Sequence, residues 1–578
     1  MRHAYSILDS RPPFPVGGED HLVFVLVGAW LVLAVSVLAA WSRINTVKAW
    51  RVGALSLTLA FSLIHQLVYT TVAEDAFITF RYSLNIGEGN GPVFNPGEQV
   101  EGYSNFLWMI LIALPQALFG WDIVVTASVF GVLATLVCVL MAYLLVNRIV
   151  AVAESPRGMP ALGVAAAVLT AGASGLAAYG PSGLETPLFL LLILCVCYAL
   201  AARRTVVAGV LVALAAMTRP DGLVVAVVVG VWLLLAAIRE RQTWWAPAGY
   251  VLGAVVFAVP WTVWRVTYYG HLLPNAVAAR GGGSLGWQLG QGWHYLTEFG
   301  LVHQGFLLLG LVAVAALLHR RNAGTREAEA RSLVWLLFAM TFVYPAFIGY
   351  AGGDWMPAWR LLAPVPPLLA VASVGAYGVL TSGPPSPVSR AHRRETRLVP
   401  VIALGLAGVS LLVTIVSPNM LDRMHDWRLR TGQLGEIGAW LGASLQPGTV
   451  VSTYANGVLS YRAGTQLQIV DVLGLTDEHI ARTGTRDEHA GAIGHIASDY
   501  GYVVNLRRPS VAVTTADGYS DEQRCAIDPV YAGKYQVATF RREGAQKWVA
   551  LYLRSELAAT LIADLDEDSR FVYEACPA

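Results

Sequence analysis

The sequence is short of charge: Asp, Glu, Lys and Arg make up 13% of its 578 residues, about half the roughly 25% usual in soluble chains. At that length, so little charge excludes a surface that faces only water. Charge of one sign is missing too. The net charge is +1, so no Lys/Arg field exists to neutralise a polyphosphate backbone, and nucleic acid is excluded as a partner. The glycines from Gly87 to Gly102 match neither a Walker spacing nor a strand–GxGxxG–helix context, which argues against an ATP-driven transporter. No HExxH or CxxC occurs, so the sequence signals no required cofactor and leaves a divalent metal open. The start shows no signal-peptide pattern; about twenty mixed residues, with Pro-Pro and Gly-Gly, precede the first apolar run. Repeats of fixed period and long low-complexity tracts are absent as well. Cysteine is scarce. Cys138, Cys195 and Cys197 sit in apolar runs, as small hydrophobes do, whereas Cys525 and Cys576 lie in the polar C-terminal region. If that region is outside the cytoplasm, a Cys525–Cys576 disulfide is expected.

Apolar length is what the chain has in abundance. Hydrophobic residues reach 56% and the mean hydropathy is +0.55. Runs approaching the roughly 20 residues that cross a bilayer lie at 22–41, 52–72, 122–147, 160–180, 184–201, 205–219, 221–238, 247–266, 301–318, 332–350, 361–380 and 399–416. The pattern predicts a polytopic α-helical membrane protein with about 12 spanning helices. Basic clusters at Arg43/Lys48/Arg51, Arg148/Arg157, Arg203/Arg204, Arg239/Arg241, Arg320/Arg321/Arg326/Arg331 and Arg390/Arg393/Arg394/Arg397 belong inside by the positive-inside rule. The segments 73–121, 181–183, 219–221, 267–300, 351–360 and everything after 417 then lie outside. The apolar stretch 103–119 is short and rich in interfacial aromatics. It reads as a juxtamembrane or re-entrant helix on the outer face, the alternative being a miscount of the first helix. Beyond 417 charge rises, and β-branched runs (Thr449–Thr453, Val511–Thr514) alternate with a helical pattern at 432–445. A membrane domain over 1–416 is therefore expected to carry a soluble extracytoplasmic α/β domain over 417–578.

Ionisable residues concentrate in the outer segments. Glu74 and Asp75 are adjacent carboxylates just after a predicted span. Their mutual repulsion tends to raise a pKa, which suits a general base; a helix-capping pair is the alternative. Arg81 follows, and then a tight Gly/Pro-rich loop to Tyr103. Further cations and carboxylates stand at Arg219 and Asp221, at Arg265, His271 and Arg280, and at Asp354-Trp355 through Arg360. Guanidinium groups beside aromatics at a membrane boundary suit a lipid phosphate, although any one of them can equally anchor a helix end.

The segment Glu74-Asp-Ala-Phe-Ile-Thr-Phe-Arg-Tyr82, with Gly89-Asn-Gly-Pro-Val-Phe-Asn-Pro-Gly-Glu98 and Val100-Glu-Gly-Tyr-Ser-Asn-Phe-Leu-Trp108, resembles the AftB-type terminal arabinofuranosyltransferases of the actinobacterial cell envelope, in the glycosyltransferase-C superfamily. Ser182–Pro187, Thr218–Asp221, Gly352–Asp354, Asp471–Asp477 and Gly494-His495 fit the same pattern, so the likeness runs through most of the chain. It implies a glycosyltransferase-C membrane fold with a catalytic first outer loop at 73–121 in the plasma membrane. Decaprenylphosphoryl-arabinofuranose is the implied donor. The implied acceptor is the end of an arabinan chain of arabinogalactan or lipoarabinomannan, extended by a terminal β-1,2 linkage. Two aspartates are usual at the first-loop pair; Glu74 departs from that, which favours Asp75 as the essential carboxylate. Arg81, Arg219, Arg265, His271 and Arg280 are then candidates for the donor phosphate, and Asp354, Trp355, Arg360, Glu185 and Asp221 for sugar hydroxyls. Donor and product are both β in the family, so net retention is implied. Two other readings compete: a polyprenyl-phosphate-mannose-dependent transferase of the same fold, and a lipid or polysaccharide transporter. The transporter predicts charges in mid-helix and inverted repeats, and the charges here lie in the outer segments.

Overall fold

The computed structural model describes residues 19–153, 159–319, 325–382, 390–417, 419–488 and 495–577. Arg157, Arg320, Arg321, Gly494 and the mixed segment before residue 19 lie outside these.

Each apolar run forms helix, from Glu19–Ala39 and Lys48–Val68 through Ile123–Val152 and Trp245–Tyr269 to Val365–Thr381 and Arg390–Val416. By length and composition, 5 helices among the described residues can cross a membrane, or 7 if each of two bent pairs is one span. Six more are apolar but only 10–17 residues long; at 1.5 Å per residue the longest of these covers about 25 Å, short of a ~30 Å hydrocarbon core. Lipid contact explains the outward side chains. On Trp245–Tyr269, Leu252, Val256, Val259 and Val263 are all exposed, whereas Val365–Thr381 is buried along nearly its whole length at the centre of the helical body. The chain is a multi-pass membrane protein.

Two stretches differ from expectation. The run 160–180 breaks into Pro160–Ala171 and Ser174–Tyr179. Trp30 causes the crowding there: its indole donates to the Val168 carbonyl (3.0 Å), and a Cβ on Gly172 would come within 2.7 Å of it. The outer segment 267–300 is not all loop. Leu285–Val302 is a helix, capped by Ser284, whose hydroxyl accepts from the Trp287 N–H, and it meets Gln304–His319 at 86°. Its glycines disguise it in the sequence. Gly292 is required because the Gly349 carbonyl would stand 1.7 Å from any Cβ.

In the first outer loop, Ala76–Gly87 and Phe106–Phe119 pack together. The second is 14 residues long, about 21 Å, too short to span. After Leu421–Ser444 comes a sheet of strands β1 (Val450–Thr453), β2 (Gln468–Asp471), β5 (Val511–Val513), β6 (Tyr535–Arg542), β7 (Trp548–Arg554) and β8 (Phe571–Glu574); β3 (Thr485–Arg486) and β4 (Ala497–Ser498) pair separately. The sheet order is β2-β1-β5-β7-β6-β8, with β1 parallel to β2 and β5 and the remaining pairs antiparallel. Trp440 fixes the helix layer to it, stacking on Phe571 and donating to the Leu565 carbonyl. The open edge at β2 is covered by the first outer loop. The Asn95 side chain donates to the Ile469 carbonyl (2.8 Å) and accepts from its N–H (3.0 Å), as a neighbouring strand would.

Candidate active site

Glu74 and Asp75 occupy the turn before Ala76–Gly87. Asp75 stands at the N-cap position but its carboxylate caps no backbone N–H, so capping is not its use. It faces two guanidinium groups instead: Arg360 Nη1 at 3.7 Å and Arg280 Nη2 at 3.8 Å. Burial raises the Asp75 pKa, and Arg360 and Arg280 pull against that rise. Its neighbour Glu74 points the other way. Glu74 Oε1 accepts the Gly457 N–H at 2.6 Å from the C-terminal domain. Burial and the Asp75 charge push its pKa up to about 8.

Arg360 is held in place from several sides. Asp354 binds it as a fork, with Nε–Oδ2 at 2.8 Å and Nη2–Oδ1 at 3.2 Å. The segment between them bends through left-handed backbone. Gly352 and Gly353 have φ of +93° and +77°, and Ala358 and Trp359 adopt φ of 57° and 47° without being glycine. Left-handed backbone costs an L-residue about 1–2 kcal/mol. What holds it here is Trp359, fully buried against His303 and Phe299, and Ala358, whose N–H donates to the Asn419 carbonyl. The strain is spent turning the Arg360 head back toward Asp75.

Behind this pair runs a connected chain of buried polar groups. Arg219 binds Asp221 through two nitrogens (3.0 and 2.8 Å) and approaches Glu185 at 3.6 Å. Asp221 accepts from the Tyr344 hydroxyl at 2.6 Å. Glu185 accepts from Asn105, which itself accepts from Thr79. The ion pairs bring the segments at 73–121, 181–187, 218–221, 275–280 and 352–360 to one end of the helical body. Of the expected site residues, Asp75, Arg219, Arg280, Glu185, Asp221, Asp354 and Arg360 therefore share one neighbourhood. The C-terminal domain closes it with His495, whose ring meets Trp355 edge-on at 5.8 Å. Burial, with Arg280 and Arg360 close by, lowers the His495 pKa to about 3, so the imidazole is neutral. His495 Nδ1 and Trp355 Nε1 are both buried without a hydrogen-bond partner, leaving polar capacity for a ligand. Only its place in the family pattern marked His495 in the sequence.

Three expected phosphate ligands lie elsewhere. Arg81 is fully buried, and all its N–H groups are taken by the carbonyls of Phe94, Ser460, Gly464 and Leu467 and the Asn95 amide oxygen. It bolts the first outer loop to the C-terminal domain and has no donor left for a phosphate. Arg265 pairs with Glu101 (3.3 Å) and donates to the Leu272 carbonyl, away from Asp75. His271 binds Glu478 at 2.6 Å on the half-exposed flank of the same region. Cys525 and Cys576 form a disulfide with Cα atoms 5.7 Å apart, while Cys138, Cys195 and Cys197 are free. Among the described residues no three His, Cys, Asp or Glu side chains are grouped as a metal site.

Comparison with known proteins points the same way as the 74–108 segment. Two curated relatives are each named terminal β-(1→2)-arabinofuranosyltransferase. The one from Corynebacterium glutamicum is 27% identical over 367 residues, covering 54% of this chain and 49% of its own. That from Mycobacterium tuberculosis is 28% identical over 396 residues, covering 61% and 59%. The resemblance to terminal arabinofuranosyltransferases thus holds in sequence, and the chain spans about half the length of the curated relatives it matches. Residues 422–552 match a domain of unknown function (DUF8728). Among solved structures, ArnT from Cupriavidus metallidurans in the apo state superposes with a TM-score of 0.54 at 14% identity, covering 88% of this chain and 99% of that one. The same protein bound to undecaprenyl phosphate gives 0.52 at 12%, covering 89% and 99%. At such identities the likeness concerns the fold, and the fold is of the glycosyltransferase-C type.

Proposed function

We propose that the chain is a polyprenyl-phosphate-sugar-dependent glycosyltransferase that adds arabinofuranose from decaprenylphosphoryl-arabinofuranose to arabinan chain ends, in a β-(1→2) linkage, on the extracytoplasmic face of the plasma membrane. One observation carries the reading: a largely enclosed, non-capping Asp75, 11% of its side chain exposed, with two guanidinium groups within 4.0 Å of it. The names of the two curated relatives supply the sugar, and undecaprenyl phosphate in the ArnT structure supplies a precedent for the donor class.

Each group has a separate task. Asp75 accepts the proton of the acceptor hydroxyl as its oxygen bonds to the anomeric carbon. On the same face of the sugar, as retention of the β configuration requires, the bond from that carbon to the phosphate oxygen breaks, and the polyprenyl phosphate leaves with the electron pair. Arg280 takes the departing phosphate; 38% of its side chain is open, and it makes no hydrogen bond within the protein among the described residues. Arg360, locked by Asp354, adds a fixed positive charge beside Asp75. Arg219, held by Asp221, supports Glu185, which is left to orient a sugar hydroxyl. The reading is tested by transfer of radiolabelled arabinofuranose from decaprenyl phosphate to a synthetic arabinan, with wild type and Asp75→Asn compared in detergent. Transfer by the wild type alone is expected. A folded wild type that uses only a mannose donor would keep the reaction class and overturn the sugar.

A further inference from the structure

A cavity lies away from the residues around Asp75. It is a cleft of about 560 Å³ between residues 98–100 of the first outer loop, the helix Glu478–Thr483 and the segment from Tyr502 to Arg507. A smaller cavity shares Gln99, Val100, Glu478 and Arg482 with it and continues to Tyr269 and His271. The larger forms the groove, along residues 98–100 of the first outer loop; the smaller adds about 10 Å³, room for about one water.

Its chemistry is specific about charge. Arg507 binds Glu98 at 2.8 Å and approaches Asp477 at 3.9 Å; Arg482 approaches Glu478 at 4.0 Å. Both guanidinium groups are thus paired within the groove, and the carboxylates Glu98, Asp477 and Glu478 outnumber them. A phosphate or an acidic polymer meets net negative charge here. A neutral ligand rich in hydroxyls meets donors and acceptors side by side. The groove also holds a flat platform. The His479 and Tyr502 rings stack at 4.0 Å and 20°. Asp499 fixes both, binding His479 Nε2 at 3.0 Å and accepting the Tyr502 N–H at 2.8 Å. A rigid ring beside paired carboxylates suits the C–H face and hydroxyl rim of a sugar. The Gln99 amide is exposed and makes no hydrogen bond among the described residues, which leaves it for the ligand.

The groove is tied to the Asp75 loop. The Tyr82 hydroxyl, on the helix that begins at Ala76, donates to the Val100 carbonyl (2.6 Å) and accepts the Gly102 N–H (2.8 Å). We propose that this groove holds the acceptor glycan at units remote from its reacting end, as a neutral polysaccharide subsite built from the first outer loop and the C-terminal domain. The choice of glycan rests on the glycosyltransferase reading above.

The experiment uses the full chain in detergent with an arabinofuranan dodecasaccharide and a disaccharide. Binding is measured by calorimetry, and KM by transfer from decaprenylphosphoryl-arabinofuranose. In Tyr502→Ala the dodecasaccharide is expected to bind about 5–10-fold more weakly, with the ratio of its KM to that of the disaccharide rising by a similar factor. Gln99→Ala, at an exposed side chain that cannot disturb the fold, is expected to shift the same ratio about 2–4-fold. Wild-type transfer in which neither variant changes that ratio overturns the groove and leaves the glycosyltransferase standing. A folded wild type that neither transfers nor binds either oligosaccharide overturns both.

Discussion

Arg81 and Arg280 stand on two outer segments joined by the Arg280–Asp75 ion pair and look alike in the sequence, yet the structure uses them in opposite ways. Arg81 is fully buried, with every N–H group spent on an oxygen of the protein. Arg280 keeps 38% of its side chain open and has, among the described residues, only the ion pair to Asp75, at 3.8 Å. A guanidinium with five donors can clamp two pieces of chain or receive a phosphate, but not both. What separates the roles is therefore the supply of backbone carbonyls around the head group, not the residue type or its loop. Arg265 falls on the clamping side, with Glu101 and the Leu272 carbonyl. Arg360 stands between, bound to Asp354 yet facing Asp75.

The hardest test of that division is at the carboxylate that Arg280 and Arg360 both face. Asp75→Asn keeps the shape and removes the charge, so transfer is expected to fall about 10²–10⁴-fold while thermal unfolding stays close to wild type. A variant that keeps a tenth of the activity would move the chemistry away from this cluster. Next comes Arg81→Met. It strips partners from three buried carbonyls and one partly buried one at once, and at about 1–3 kcal/mol for each buried group left unsatisfied the C-terminal domain should loosen from the first loop. The readout is a large drop in melting temperature, or proteolysis near residue 464, with donor KM unaltered in whatever folded protein remains. Arg280→Ala should do the reverse, raising donor KM about 10–100-fold with little loss of stability. Equal donor KM effects in the two variants would break the comparison.

Spacing could not have shown the cluster, because residues 75, 185, 219, 280 and the 354–360 pair belong to five separate segments that only helix packing brings together. What the sequence does show is local. The apolar runs became helices because the 3.6-residue backbone satisfies its own polar groups in lipid. The β-branched runs at 449–453 and 511–514 lie where β1 and β5 form. The break after Ala171 was hidden, since it depends on Trp30 from a distant helix. Leu285–Val302 was hidden inside an outer segment; one of its glycines, Gly292, serves close helix packing against Gly349. Arg81 was misread for a related reason: its carbonyl partners at 460, 464 and 467 lie nearly 400 positions away.

A finer test concerns pH. If Asp75 acts as the base, kcat/KM falls as pH drops through its raised pKa, so the acid limb should lie above the ordinary aspartate value near 3.9. Arg360 is the larger of the two charges holding that pKa down. Arg360→Gln should therefore move the limb to still higher pH. A limb that stays in place would place the titrating group elsewhere.

The smallest effect expected is at Glu74, and it separates the two adjacent carboxylates. With a pKa near 8, Glu74 carries its proton at neutral pH, so Glu74→Gln alters little: the amide oxygen can still accept the Gly457 N–H. Transfer at pH 7 should stay within about threefold of wild type. The variants diverge only on the alkaline side. A carboxyl whose pKa is raised on folding stabilises the native state below its unfolded value, near 4.3, and loses that contribution as pH climbs toward 8. The melting temperature of wild type should accordingly fall between pH 5 and pH 8.5 by more than that of Glu74→Gln. A deep loss of transfer in Glu74→Gln at pH 7, with the melting curve intact, would instead make Glu74 the acting carboxylate and Asp75 its support.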